Sequence, residues 1–207
     1  MGARNILRLL NGALENENQS VEQLTSTATE TTLNSVKGTI ETYPSQAAAA
    51  GGKATFVFKN DEIKTGSTVI ATAGDYVAGL TISAVSAAAD AVYTTGSVEH
   101  GLAVGDVITV VGVATNGDEE PSGRLTVATV PSATTFTAGV DTNTDTLTLT
   151  DAYASLPSAK RGTTQGAGTP VVSVTNTKSG QCDITIENVH ASAKLNGFVP
   201  VSFIVLD

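Results

Sequence analysis

The sequence predicts an all-β protein: a jelly-roll-like β-sandwich that carries an inserted small Ig-like or barrel-like β-module and an N-terminal arm. Short segments rich in Val, Ile and Thr alternate between apolar and polar residues, as half-buried strands do. They recur with turn residues at the spacing of about 8 to 12 residues that is typical of sandwiches and barrels. Aromatic residues make up only 4% of the chain and tryptophan is absent, so the core must be built from Val, Ile, Leu and Ala.

The 207 residues are predicted to form a host domain interrupted by a second unit. Ala, Gly, Ser and Thr dominate residues 86–97 and 152–168, which mark the two ends of that unit. One long sandwich with extended hairpins remains an alternative, because length alone permits either arrangement. The predicted parts are an N-terminal arm or short helix (1–35), a β-sandwich host domain (36–83 with 168–207) and an inserted β-module (84–167).

The N-terminal region differs from the rest of the chain. Ser20 and Gln23 have the form of a capping box, and Val21, Leu24 and Ala28 could line one helical face. The continuation TSTATETT lowers helix propensity, so we expect a short helix or an extended arm, with a strand and loop as the alternative. The apolar residues from Ile6 to Leu10 are too few for a secretory signal, and no segment approaches the roughly 20 apolar residues of a membrane span.

In the host domain we expect strands at VKGTIETY, KATFVFK, GSTVIAT, YVAGLTISAV, TPVVSVTN, QCDITIEN and FVPVSFIVL, with a loop at PSQAAAAGG. KATFVFK alternates most clearly, with Phe56 and Phe58 on its inner face. Pro200 cannot donate to a sheet ladder, so the last strand is expected at an edge or with a bulge there. Asn196-Gly197 is a turn signal just before it.

In the module we expect strands at VYTTG, VITVVGV, RLTVATV, TTFTAGV and TLTLT. The stretch EHGLAVGDVITVVGV brings His100 and Asp106 close together in sequence, which invites a catalytic interpretation. Asp beside Gly105 more often binds backbone N–H groups in a turn, and no G-x-S-x-G elbow is present. We therefore expect a turn that leads into a strand, with Val107, Thr109 and Val111 on one face and Ile108 and Val110 on the other.

Two acidic segments resemble ion-binding loops. DTNTD places Asp141, Asn143 and Asp145 at the spacing of a calcium loop, but Thr146 stands where glycine is needed and Ala152 where Glu is needed. A solvated hairpin loop is the expected structure, and residues 118–120 beside Asn116-Gly117 are interpreted in the same way.

No catalytic residue, cofactor or metal site is predicted. Alternation places Cys182 on the same face as Ile184 and Ile186, as a buried thiol. His190 has no neighbouring Cys or His to complete a metal site, and the chain has no G-x-x-x-x-G-K-[ST] phosphate loop. A polysaccharide hydrolase with paired carboxylates is a weaker alternative, because no pair stands out by its spacing.

The net charge of −9, with eleven scattered Lys and Arg residues, argues against nucleic acid as a partner. The same charge suits a surface that faces solvent or a basic partner. Glycan-binding faces usually present aromatic rings, and four tyrosines are the aromatics that we expect to be exposed: Tyr43, Tyr76, Tyr93 and Tyr153.

Residues 100–140, HGLAVGDVITVVGV followed by GRLTVATVPSATTFTAGV, resemble the small β-modules of tailed-bacteriophage structural proteins. In those modules an H-G-L-x-x-G-D turn opens one strand and a T-V-x-x-V…T-F-T pair closes the unit. The flanking segments KATFVFKNDEIKTGSTVIAT and GTPVVSVTNTKSGQCDITIENVHASAKLNGFVPVSFIVL resemble, by pattern, the β-sandwich of small phage head and decoration proteins. The family offers no catalytic residues to transfer.

The resemblance implies a non-enzymatic capsid decoration or cement protein on the outer surface of the virion. Its partner would be the major capsid protein, with no nucleic acid and no membrane involved, and a homotrimer would suit a three-fold position on the shell. We expect the N-terminal arm to make the capsid contact, through Arg4, Ile6, Leu7, Arg8, Leu9 and Leu10. The alternative is a tail-fibre or host-adhesion component whose module binds a cell surface.

Overall fold

The chain is all-β in the computed structural model, which describes residues 19–43, 51–157, 160 and 166–207. About 47% of these residues lie in strands and none forms an α-helix. Accordingly, the described part of the chain contains no helix able to cross a membrane. The predicted loop at PSQAAAAGG falls mostly outside these ranges.

The described residues form strands of two to nine residues. In chain order they are β1 (Ser20–Glu22), β2 (Thr31–Thr32), β3 (Lys37–Glu41), β4 (Lys53–Lys59), β5 (Thr68–Ala73), β6 (Leu80–Thr81), β7 (Ala84–Val85), β8 (Val92–Thr94), β9 (Val107–Ala114), β10 (Gly123–Thr126), β11 (Thr129–Ser132), β12 (Thr135–Thr137), β13 (Thr148–Ser155), β14 (Pro170–Lys178), β15 (Gln181–Asn188) and β16 (Pro200–Leu206).

Four sheets of four strands each contain these elements. Sheet A has the order β1-β3-β16-β5 and sheet B the order β14-β15-β4-β2. Sheet C has the order β10-β9-β13-β6 and sheet D the order β11-β12-β8-β7. The pairs β1/β3 and β2/β4 are parallel, and the other pairs are antiparallel.

Sheets A and B enclose one hydrophobic core. Sheet A contributes inward side chains such as Ile40 and Phe203, and sheet B contributes Phe58 and Ile184. The rings of Phe58 and Phe203 meet with their centroids 4.7 Å apart. The strict alternation of β4, β15 and β16 produces this core, since every second side chain of those strands points into it.

Sheets C and D enclose a second core, formed by residues between 82 and 154. The ring of Tyr93 on β8 stacks on that of Phe136 on β12, with the ring centroids 5.0 Å apart. β9 contributes Ile108 and Val110 to the same core. Among the described strands, β6 to β13 pair only with one another. The change from one set of sheets to the other occurs at Leu80, where β6 pairs with β13.

Several predicted strands are confirmed, and others have different limits. KATFVFK coincides with β4, and QCDITIEN with β15. YVAGLTISAV forms two short strands in different sheets, because β6 pairs in sheet C and β7 in sheet D. RLTVATV is likewise divided between β10 and β11, and TLTLT continues as β13 through Ser155.

The helix expected from Ser20 and Gln23 is wrong. Ser20–Glu22 is a strand that pairs with β3, and the side chain of Gln23 is buried rather than capping a helix. The alternative, a strand and loop, describes residues 19–35. Tertiary pairing at the edge of sheet A therefore prevails over a weak local helix signal.

The expectation for Pro200 is also wrong. β16 lies in the interior of sheet A between β3 and β5, in regular register with β3 from Pro200 and with β5 from Val201. Pro200 is tolerated because it is the first residue of the strand. Nor does Asn196-Gly197 make a hairpin turn: it lies in the connection between β15 and β16, which belong to different sheets.

Both faces of β9 are buried between its two end residues, and the first of these, Val107, is exposed. Thr109 and Val111 are buried, as are Ile108 and Val110 on the opposite face. The outer face of sheet C lies towards the first sandwich, where Arg124 of β10 forms an ion pair with Glu22 of β1. Val111 is covered because β9 lies at this junction between the two sandwiches.

Candidate functional site

His100 is a buried structural residue. Its side chain is 3% exposed, and the N–H of Leu102 donates to Nδ1 at 2.9 Å. The proton therefore resides on Nε2, which lies 3.1 Å from the backbone carbonyl oxygen of Ser132 and 3.2 Å from that of Thr135. The ring also meets Phe136 edge-on at 5.6 Å. Nδ1 is thus used within the turn itself, and Nε2 ties that turn to the β11–β12 hairpin.

Asp106 holds its turn as predicted, because its carboxylate accepts the Ala103 N–H at 2.6 Å. The ammonium group of Lys160, 54 residues away in sequence, also contacts this carboxylate at 2.5 Å, and no local pattern predicts that contact. The Lys160 hydrogen bond, with help from the Ala103 N–H, lowers the pKa of Asp106 below its ordinary value. His100 and Asp106 therefore engage different partners and do not form a catalytic pair.

The DTNTD loop is tied to the neighbouring turn at residues 115–120. Asp145 accepts the Thr115 hydroxyl at 2.9 Å, and the Thr146 N–H donates to Asn116 at 2.8 Å. Asp141 accepts the Asn143 N–H at 2.9 Å. Across the described ranges, no group of three or more His, Cys, Asp or Glu residues is arranged to hold a metal ion.

Cys182 and His190 both have structural positions. Cys182 is fully buried as predicted, and burial raises the pKa of its thiol to about 11. The Nδ1 atom of His190 accepts the N–H groups of Ser192 and Ala193, at 3.1 and 2.8 Å. This contact closes the loop that follows β15.

The expectation that the tyrosines are exposed is wrong for three of them. Tyr76, Tyr93 and Tyr153 are buried, with 7%, 0% and 3% of their surface exposed. Tyr93 fills the second core, and its hydroxyl donates to the Pro121 oxygen at 2.9 Å. Only Tyr43 remains partly exposed. Alternation did not reveal this, because the burial comes from residues distant in sequence.

The predicted capsid-contact residues, Arg4, Ile6, Leu7, Arg8, Leu9 and Leu10, lie outside the described residues. The first described strand after them, β1, forms one edge of sheet A. The chain therefore enters the described structure at sheet A.

The outer face of sheet A is one candidate binding surface. On β5 the outward positions are Thr68, Ile70 and Thr72, and on β16 they are Pro200, Ser202, Ile204 and Leu206. Ile70 is 51% exposed and lies directly opposite Ile204. None of these positions carries a charge, but Lys37 and Glu41 of the neighbouring β3 lie opposite Ile204 and Pro200 on the same side of the sheet. We call these seven positions the uncharged face.

The outer face of sheet B contrasts with it. Lys53 forms an ion pair with Glu187 at 3.0 Å across β4 and β15. Lys59 pairs with Glu30 at 2.7 Å. Val171 on β14 is 46% exposed and lies opposite Glu187. Self-paired charges of this kind are typical of a solvated sheet face.

A second candidate site is a cleft at the junction of the two sandwiches, with a volume of about 440 Å³. One wall is formed by Ser26, Thr27 and Tyr43. The facing wall is formed by residues 110–115 of β9 and its following turn, with Glu120, Ser122 and Thr150. We call it the junction cleft.

Sequence reasoning found neither surface. The outward positions of β5 and β16 follow from alternation, but their adjacency depends on pairing between residues more than 130 positions apart, as for Ile70 and Ile204. The junction cleft similarly joins residues from separate sandwiches. Comparisons of the chain with protein-family models, with curated proteins and with solved structures found no match.

Proposed function

We propose that this chain is a non-enzymatic virion structural protein, a decoration or cement protein that binds the outer surface of a phage head. The observation that carries the proposal is the uncharged face of sheet A. On an acidic chain, this uncharged patch on β5 and β16 can be covered by another protein while Lys37 and Glu41 of β3, at its border, stay hydrated. The chemistry-bearing residues His100, Asp106 and Cys182 are engaged in structure, which favours a binding role.

The proposal includes the jelly-roll-like host domain and the inserted module. Two features support it: the division of the core into two clusters, and the pairing of β6 to β13 among themselves. The junction at Leu80 suggests that the module begins there rather than at residue 84.

Attachment would combine the uncharged face with the N-terminal segment. The six residues of β5 and the seven of β16 cover roughly 20 Å by 10 Å, which is small for a stable interface. The segment that contains Arg4 to Leu10 precedes β1, which belongs to the same sheet as β5 and β16. In a homotrimer three such pairs of contacts would act together, and avidity would offset the small area of each.

A truncation tests the role of the N-terminal segment. Removal of residues 1–35 would also delete β1 and β2 from sheets A and B, so the truncation should end at residue 18. The purified chain and its truncation are mixed with capsids that lack the protein, and co-sedimentation is measured. We expect the truncation to reduce binding at least tenfold; equal co-sedimentation would contradict a role for Arg4 to Leu10.

A matched pair of substitutions tests the uncharged face. Ile70→Lys adds a charge to sheet A, and Val171→Lys adds the same charge at a similarly exposed strand position on sheet B. We expect Ile70→Lys to weaken capsid binding about tenfold or more, because the lysine would be desolvated at the contact. Val171→Lys should bind as the unsubstituted chain does. Equal binding by both variants would sink the assignment of this face.

A further inference from the structure

The junction cleft has the size and position of a small-molecule site. Its volume of about 440 Å³ lies within the range of about 300 to 1,000 Å³ in which proteins hold small molecules. Such sites occur preferentially between structural units, and this cleft separates the loop after β1 from β9 of the second sandwich. Its lining includes the hydroxyl-bearing residues Ser26, Thr27, Ser122 and Thr150, which suits a ligand rich in hydroxyl groups.

The wall next to β1 is held in place by Gln23. Gln23 is 2% exposed, and its side-chain N–H donates to the backbone carbonyl oxygen of Thr29 at 2.6 Å. Its carbonyl oxygen accepts the Tyr43 N–H at 2.9 Å. One buried amide therefore fixes both the loop that carries Thr27 and the backbone that carries the Tyr43 ring.

The facing wall is braced as well. The Ser122 hydroxyl accepts the Val113 N–H at 3.1 Å and donates to the Val113 oxygen at 2.5 Å. The pairing of β10 with β9 ends at Gly123, opposite Val110. The Ser122 hydroxyl therefore supplies the hydrogen-bond partner that a paired strand would give to the backbone of Val113. Gly112 has a φ of 83°, and a side chain there would lie 2.5 Å from the Thr150 oxygen, so this part of the wall is closely packed.

Four groups at the cleft are available for a ligand. They are the hydroxyls of Thr27, Tyr43 and Thr150 and the carboxylate of Glu120, all on residues that line the cleft. Tyr43 is half-buried, and burial raises the pKa of its phenol, so it stays a neutral donor. Glu120 faces the same space as an acceptor.

We propose that the junction cleft binds a glycan of one or two sugar units. The tyrosine ring offers an apolar face for the C–H groups of a pyranose, as aromatic rings do in amphipathic sites. A carboxylate can accept hydrogen bonds from two neighbouring sugar hydroxyls, and the three protein hydroxyls can both donate and accept. The surrounding acidity disfavours a negatively charged sugar, so a neutral or amino sugar is the class that fits.

The test is a glycan array of bacterial and host-surface saccharides, probed with the labelled full chain. The affinity for the strongest glycan is then measured by calorimetry. Tyr43→Leu removes the phenol, and Glu120→Gln removes the charge with little change of shape. Glu62→Gln makes the same change at an exposed residue outside the cleft.

We expect at least one neutral or amino glycan to bind. Tyr43→Leu and Glu120→Gln should each lower the affinity for that glycan about tenfold. Glu62→Gln should bind normally, and each variant should keep the circular dichroism spectrum of the unsubstituted chain. If no glycan is retained, or if either cleft variant binds as tightly as the unsubstituted chain, the proposal is wrong. Capsid co-sedimentation of Glu120→Gln reports separately on attachment to the shell.

Discussion

Replacement of His100 by alanine should strongly destabilise the second sandwich. The change leaves the buried Leu102 N–H without its acceptor and the Ser132 and Thr135 oxygens without their donor. An unsatisfied buried group costs about 1 to 3 kcal/mol, and loss of the edge contact with Phe136 adds about 0.5 to 1.5 kcal/mol. Since the two oxygens share one donor, the free energy of unfolding should fall by about 3 to 5 kcal/mol.

Urea unfolding followed by tyrosine fluorescence measures this change, because the chain has no tryptophan and Tyr93 stacks on Phe136 beside His100. His190→Ala is the matched control. His190 also accepts backbone N–H groups, but at a partly exposed position where water can replace it, so about 1 kcal/mol or less is expected. Equal, small effects of both substitutions would refute the structural role assigned to His100.

Three further predictions concern stability and reactivity. Gly112→Ala should cost roughly 2 kcal/mol or more in urea unfolding, because φ is 83° and the new Cβ would lie 2.5 Å from the Thr150 oxygen. Gly105→Ala, with φ of 89° and open space, should cost less; the reverse order would contradict the packing of β9. Cys182, with a thiol pKa near 11, should resist a disulfide reagent at mildly alkaline pH until guanidinium unfolds the chain; prompt labelling of the folded chain would contradict its burial. Asp106 has a lowered pKa in the folded chain, so its interaction stabilises above the unfolded pKa of about 3.9 and is lost as the pH falls through the folded value. On acidification, the free energy of unfolding of Asp106→Asn should therefore fall by up to about 1 kcal/mol less than that of the unsubstituted chain. An acid profile equal to that of the unsubstituted chain would argue against the Lys160 contact.

Local patterns identified the strands that are half-buried and long. β4 and β15 could be predicted because Phe56, Phe58, Cys182 and Ile184 alternate with polar residues over seven or eight positions. The turn at Asp106 could be predicted for the same kind of reason. Its carboxylate binds the N–H of Ala103, only three residues away.

Features that depend on distant pairing could not be predicted. Thr109 and Val111 have the alternation of a strand with one open face, yet both are buried at the junction of the sandwiches. Ser20–Glu22 carries a helix-start signal but pairs with β3. The same limit applies to the candidate sites, since Tyr43 and Glu120 face one cleft only after both sandwiches have formed.

The measurement that tests the proposed function most directly is electron cryomicroscopy of the assembled particle that carries this chain. The proposal predicts density for two β-sandwiches on the outer surface of the head, with Ile70 and Ile204 of sheet A facing the major capsid protein. Lys53 and Glu187 of sheet B should face solvent. Density for the chain only at the tail tip, or on the head with sheet B against the shell, would contradict the account.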